Sequence, residues 1–149
     1  MNNISDIKSC YGCGVCAVVC TKKLINIELN DEGFYVPQIK NPEQCTNCGL
    51  CAKVCAYSHD KVLKDDTPSR GYAAWSSDAT IRRSCSSGGV SYEIGCSLLR
   101  DGYKLCGVRY DAHSNKAVHY VASTPEEWIP SMGSKYIQSY TVDAFSAID

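Results

Sequence analysis

The chain has no long apolar run, almost no net charge and very little histidine, and each shortage closes off a class of function. Its 149 residues carry 15 lysines and arginines against 16 aspartates and glutamates, a formal net charge of −1. A chain so balanced has no broad electrostatic attraction for nucleic acid or for an anionic membrane surface. No apolar stretch approaches the ~20 residues that a helix needs to cross a bilayer. The opening Met-Asn-Asn-Ile-Ser-Asp lacks the basic and then apolar regions of a secretory signal. The three histidines, His59, His113 and His119, stand without cysteine or carboxylate partners at ligand spacing, so none is a candidate ligand or base. The expected home is a reducing cytoplasm, with neither nucleic acid nor a membrane span involved.

What the chain has in excess is cysteine, eleven in all. Eight of them fall into one spacing, C-x-x-C-x-x-C-x-x-x-C, that occurs twice: Cys10, Cys13, Cys16 and Cys20, then Cys45, Cys48, Cys51 and Cys55. The repeat extends beyond the thiols, with Gly14 matching Gly49, Ala17 matching Ala52 and Val19 matching Val54. This is the ligand run of a protein that holds two 4Fe–4S clusters. Three cysteines at steps of three, with glycine between, wrap a loop around one cubane. The fourth cysteine of such a run ligates the other cluster. The expected sets are therefore Cys10, Cys13, Cys16 and Cys55 for one cluster, and Cys45, Cys48, Cys51 and Cys20 for the other. Gly14 and Gly49 stand where the backbone turns tightly, a place suited to a residue without a Cβ. Zinc sites use paired C-x-x-C units without this third and fourth thiol, and disulfides belong to secreted chains. Two cubanes also point to an oxygen-poor cytoplasm and an anaerobic source.

The fold class read from the pattern is α+β, a ferredoxin-like two-cluster module followed by a small α+β domain. The module is expected over residues 1–63. It has little conventional core, so ligation should supply much of its folding free energy. Residues 24–29 and 34–39 alternate about Asn30-Asp-Glu-Gly33 and read as a β-hairpin. Short helices are expected from Ala17 and from Ala52. A polar linker with Pro and Gly covers residues 64–71.

Residues 72–149 form the second region. A short strand is expected at residues 73–75 and a helical turn at 78–83. The loop Ser84-Cys-Ser-Ser-Gly-Gly89 then runs into a helix with Val90, Ile94 and Leu98 at steps of four, flanked by Leu99 and ended by Gly102. Strands follow at residues 104–110 and 117–123. Thr124, Pro125 and Glu127 make a capping box, Gly133 ends that helix, and residues 134–139 read as a strand. The loop before the long helix combines Ser86, Ser87, Gly88 and Gly89 with Arg82 and Arg83. Such a loop suits a phosphate at a helix N-terminus, and it equally suits an ordinary helix start with tight packing.

Three stretches carry a family resemblance: Gly71-Tyr-Ala-Ala-Trp-Ser, then Ile81-Arg-Arg-Ser-Cys-Ser-Ser-Gly-Gly-Val90, then Gly133-Ser-Lys-Tyr-Ile-Gln-Ser139. Behind a ferredoxin-like cysteine module, they resemble the N-terminal part of the coenzyme F-420 hydrogenase/dehydrogenase β-subunit family. The resemblance implies clusters and a flavin, FAD among the candidates, that exchange electrons with a deazaflavin coenzyme or a redox partner protein. It implies that Ser86, Ser87, Gly88 and Gly89 lie near the flavin or its phosphates, with Lys135 close by. Read from the residues alone, Lys135 is a solvated loop lysine. The chain departs from the bacterial ferredoxin pattern in having Thr21 and Ala56, not proline, after the fourth cysteines. Relatives continue past Asp149 into a larger C-terminal domain, so this region is expected to be truncated and the chain alone is not assured of activity.

Outside the runs, Cys96 and Cys106 read as small core residues and Cys85 as a thiol before a helix start. Tyr11 and Tyr57 sit at comparable places beside the runs. No catalytic side chain is nominated. The reading is an iron–sulfur electron-transfer component of a flavin-linked oxidoreductase, the alternative being a non-enzymatic ferredoxin-type carrier with a docking domain.

Overall fold

A computed structural model of the chain describes residues 3–7, 10–58 and 70–148. It is an α+β protein whose contacts divide it into two compact units, Met1–Asp65 with Tyr140–Asp149, and Asp66–Ser139. The expected boundary at residue 63, linker residues 64–69 and His59 lie outside the described residues.

The first unit is built on the expected hairpin. Strands β1 (Ile25–Leu29) and β2 (Tyr35–Ile39) pair antiparallel, with Ile25 opposite Ile39 and Leu29 opposite Tyr35. The turn closes on Asn30, whose side-chain oxygen accepts from the N–H groups of Glu32 and Phe34 at 3.1 and 2.8 Å. Helices α1 (Val15–Val18) and α2 (Leu50–Lys53) begin two residues earlier than expected, inside the cysteine runs. The cause is local. Gly14 and Gly49 stand at the two N-caps in the left-handed conformation, and the chain turns straight into helix behind each. Cys16 and Cys51 are therefore helical and buried. They share one core with Ile4, Ala17, Ile25, Ile27 and Tyr35. Tyr140 and Val142 pack against that core, and helix α6 (Val142–Ser146) lies on α1.

The second unit opens with α3 (Ala79–Ser84), capped by Asp78, whose carboxylate accepts from the N–H groups of Thr80 and Ile81 at 2.7 and 3.2 Å. Helix α4 (Val90–Arg100) follows, and strands β3 (Leu105–Asp111) and β4 (Lys116–Ala122) form an antiparallel hairpin. Helix α5 (Pro125–Trp128) starts at Thr124, whose hydroxyl accepts from the Glu127 N–H at 3.3 Å. The Glu127 carboxylate reaches back to the Ser123 N–H at 2.7 Å, closing the expected capping arrangement one residue upstream. The sheet order is β3-β4-β5, with β5 the two residues Ser139–Tyr140.

Four expectations for the second unit are corrected. The buried face of α4 carries Gly95, Cys96 and Leu99, while Ile94 is 56% exposed. Trp128 sets that face, because its indole lies against Gly95 and Gly107, where a Cβ has no room. Cys106, expected in the core, is exposed, since its neighbour Gly107 takes the inward position against the indole. Residues 73–75 are extended but form no strand. The nearby ladder-like bond is the Ser76 N–H to the Gly88 carbonyl at 2.6 Å. Of residues 134–139 only Ser139 is in a strand.

Candidate functional site

The two cysteine loops repeat in backbone as well as in sequence. Gly12 and Asn47 occupy equivalent places with φ +67° and +51°, and Gly14 and Gly49 follow with φ +76° and +77°. Each loop therefore turns through two left-handed residues. Glycine, and asparagine among residues with a side chain, adopt that conformation most readily. The Asn47 side chain also accepts from Asn3 Nδ2 at 3.0 Å. Backbone N–H groups already point at sulfur: Gly12 N–H lies 3.2 Å from Cys10 Sγ, and Leu24 N–H lies 3.5 Å from Cys20 Sγ.

Burial pushes the Cys16 thiol up to about 12, and the neighbouring Cys13, Cys10 and Cys51 add to the effect. Cys10 and Cys55 flank Tyr57. Its phenol is raised to about 12 by desolvation, by its hydrogen bond with Tyr11 and by the charges of Tyr11, Cys10 and Cys55. The rings of Tyr11 and Tyr57 meet at 4.3 Å between centroids. Cys20 leaves its own run and lines one cavity with Cys45, Cys48 and Cys51, beside Thr21 and Thr46.

All eleven cysteines are free thiols. Iron–sulfur clusters take soft thiolate donors, and four of these, Cys20, Cys45, Cys48 and Cys51, line one cavity. The donor set therefore fits the group its spacing implies. Among the described residues, no three His, Cys, Asp or Glu side chains converge as a single metal ion requires. A cubane asks for a wider setting, because each thiolate binds a different iron.

In the second unit a cavity opens at the start of α4, lined by Ser86, Ser87, Gly88 and Gly89 and closed on the far side by Met132, Gly133 and Ser134. The helix begins at Gly89, which offers no side chain to cap it, so its first N–H groups face the loop. Gly88 passes so close to the preceding segment that a Cβ there would sit 2.5 Å from the Ala74 carbonyl oxygen. Ser86 Oγ accepts from the Ser134 N–H at 2.7 Å and ties the two sides together. Cys85 also lines the cavity. Arg82 and Arg83 are exposed on α3, outside its lining.

Lys135 is half-buried and lies outside that lining. Its ammonium donates to the carbonyls of Pro130, Ser131 and Met132 at 3.0, 3.0 and 2.8 Å, closing the end of the 3₁₀ turn Ile129–Ser131. Burial holds its pKa below the ordinary lysine value.

Sequence reasoning missed three contributors to the two cysteine loops. Gly12 and Asn47 had a readable signal, since they match in the repeat and both residue types favour left-handed backbone. Thr141 had none. Its hydroxyl donates to the Cys13 carbonyl at 2.8 Å from 128 residues away.

Comparison with known families places two models on the chain. The 4Fe–4S dicluster domain matches residues 9–58, within the first unit, and supports iron–sulfur clusters and an electron-transfer role there. The model for coenzyme F-420 hydrogenase/dehydrogenase, beta subunit N-term, matches residues 71–146, just over half the chain. A search of curated proteins found no match. No helix among the described residues is long and apolar enough to cross a membrane. By its second region, the chain belongs to the coenzyme F-420 hydrogenase/dehydrogenase beta-subunit N-terminal family, with a ferredoxin-like dicluster module ahead of it.

Proposed function

We propose that this chain is the electron-relay part of a flavin-linked oxidoreductase of the cytoplasm, working as a subunit beside a redox partner protein or a deazaflavin coenzyme. Cys10, Cys13 and Cys16 with Cys55 hold one cluster, and Cys45, Cys48 and Cys51 with Cys20 hold the other. The observation that carries the reading is Cys20 lining one cavity with the first three thiols of the opposite run. Crossed ligation of this kind brings two clusters close together on a short chain, as consecutive electron hops require.

When bound, the clusters supply one-electron transfer and a flavin the exchange between one and two electrons. The chain's own residues position and tune these groups. Peptide N–H groups at Gly12 and Leu24 point toward sulfur, where they stabilise added negative charge. Tyr11 and Tyr57 pack together beside Cys10 and Cys55. Ser86, Ser87, Gly88 and Gly89 line the cavity that receives the flavin or its phosphates, with FAD the candidate form. Lys135 serves that cavity indirectly, by holding the carbonyls just before Gly133 and Ser134. No side chain is assigned acid, base or nucleophilic work.

Anaerobic isolation with iron, sulfide and flavin analysis tests this. About eight irons and eight sulfides per chain are expected for two cubanes. Cys55→Ser should perturb only the cluster of Cys10, Cys13 and Cys16, and Cys20→Ser only the other. Absence of iron removes the reading altogether. Full clusters with no flavin, even after reconstitution with FAD, favour the simple carrier.

A further inference from the structure

Thr141 stands at the N-cap of α6, where a threonine ordinarily accepts a hydrogen bond from the first turn of its own helix. It does not do so here. Its backbone is itself in the helical region, at φ −116° and ψ −24°, and its side chain makes no cap bond. The residue is only 7% exposed, and its hydroxyl is directed instead into the first cysteine loop, onto the Cys13 carbonyl at 2.8 Å. The fit around it is close. A Cβ on the adjoining Gly14 would sit 2.6 Å from Thr141 Oγ1 and 3.0 Å from Val142 Cγ2. The same construction at Gly49, its counterpart in the second loop, meets nothing within 4 Å. The two loops match in sequence and backbone, yet this external clamp is on the first.

We infer that Thr141 is a positioning residue for the first cysteine loop, one that sets the Cys13–Gly14 peptide and so makes the redox properties of the two clusters unequal. The inference rests on the ligand assignment proposed above. The physical reasoning is short. A trans peptide presents its N–H on the edge opposite its carbonyl. Anchoring the Cys13 carbonyl therefore fixes the direction of the Gly14 N–H, and donation to the carbonyl polarises that N–H into a stronger donor. Peptide donors near a cluster stabilise its reduced form and raise its potential. Thr141 reaches this peptide from a helix anchored independently, by Val142 against the core and by the Tyr140 ring on Tyr35 at 5.6 Å. Removing the hydroxyl thus removes the clamp without removing the element that carries it.

The test compares Thr141→Val, Thr141→Ala and Thr141→Ser with the unaltered full chain, by iron and sulfide content and by anaerobic redox titration followed by electron paramagnetic resonance. Cys13→Ser marks which reduction step belongs to the first run. With T141V, that step should move to a more negative potential and the other should stay in place. Selective loss of the first cluster alone supports the inference equally. T141S keeps the hydroxyl and should restore the original potential. T141A carries the same test if the valine is not accommodated. Unchanged potentials in T141V and T141A, equal shifts of both steps, or joint loss of both clusters would overturn the inference. Iron missing from the unaltered chain would instead remove the ligand assignment, so the two failures are distinguishable.

Discussion

At the scale of single residues, the two loop glycines separate backbone freedom from space. Both Gly14 and Gly49 are left-handed, and a side chain in that conformation costs about 1–2 kcal/mol. Gly14 carries a second demand, since a Cβ there collides with Thr141 and Val142. Overpacking of this kind adds about 1–3 kcal/mol. Gly14→Ala should therefore lower resistance to guanidinium, read as anaerobic loss of cluster absorbance, clearly more than Gly49→Ala does. Equal effects would mean that the loop gives way at no cost. Lys135 yields a different expectation. Its three carbonyl bonds make Lys135→Met destabilising by about 1–2 kcal/mol in thermal unfolding, because partly buried carbonyls lose a charged donor. Full stability in the methionine variant would restore the picture of a solvated lysine. The cysteines and their glycines were legible because spacing alone encodes them. Lys135 and Thr141 were not, since nothing local in sequence says which distant carbonyl a lysine or threonine will meet.

At the scale of elements, helix α4 shows where periodicity misleads. Val90, Ile94 and Leu98 make an apolar row, yet the core takes Gly95, Cys96 and Leu99. The choice is made by Trp128, 8% exposed and packed against two glycines, Gly95 on α4 and Gly107 on β3. A large ring that needs two Cβ-free neighbours outweighs one more aliphatic side chain. Gly95→Ala should accordingly cost about 1–3 kcal/mol in thermal unfolding, an overpacking penalty at a helix site where alanine otherwise gains. Ile94→Ala should change stability by less than about 0.5 kcal/mol, as at other exposed positions. The reverse order would show that the aliphatic row is the packed one. The hairpins and the capped starts of α3 and α5 were readable because their signals are local: Asn30 with Gly33, Asp78, and Thr124 with Pro125. Helix α6 left no such signal, being five residues whose role comes from packing on α1.

At the scale of the whole molecule, the chain leaves its first unit, builds the second and returns, so residues far apart in sequence finish the ligand-bearing module. The two units differ in what holds them. The core of the first includes Cys16 and Cys51 themselves, so the residues that pack it are also proposed ligands. The second unit has a core of Cys96, Leu99, Ala122 and Trp128, with Tyr92, Leu105 and Tyr120 against it and no proposed ligand among them. Folding linked to metal binding should thus be confined to the first unit. Both tryptophans, Trp75 and Trp128, belong to the second unit, and Trp128 is the buried one, its ring 6.5 Å from that of Tyr120. Stripping iron with a chelator under reducing conditions should abolish the visible absorption and part of the far-ultraviolet dichroism. The near-ultraviolet and fluorescence signals of Trp128 should persist, and should then melt in a separate transition on heating. If the tryptophan signals vanish together with the iron, the second unit draws its stability from the first, and its small core around Trp128 is insufficient alone.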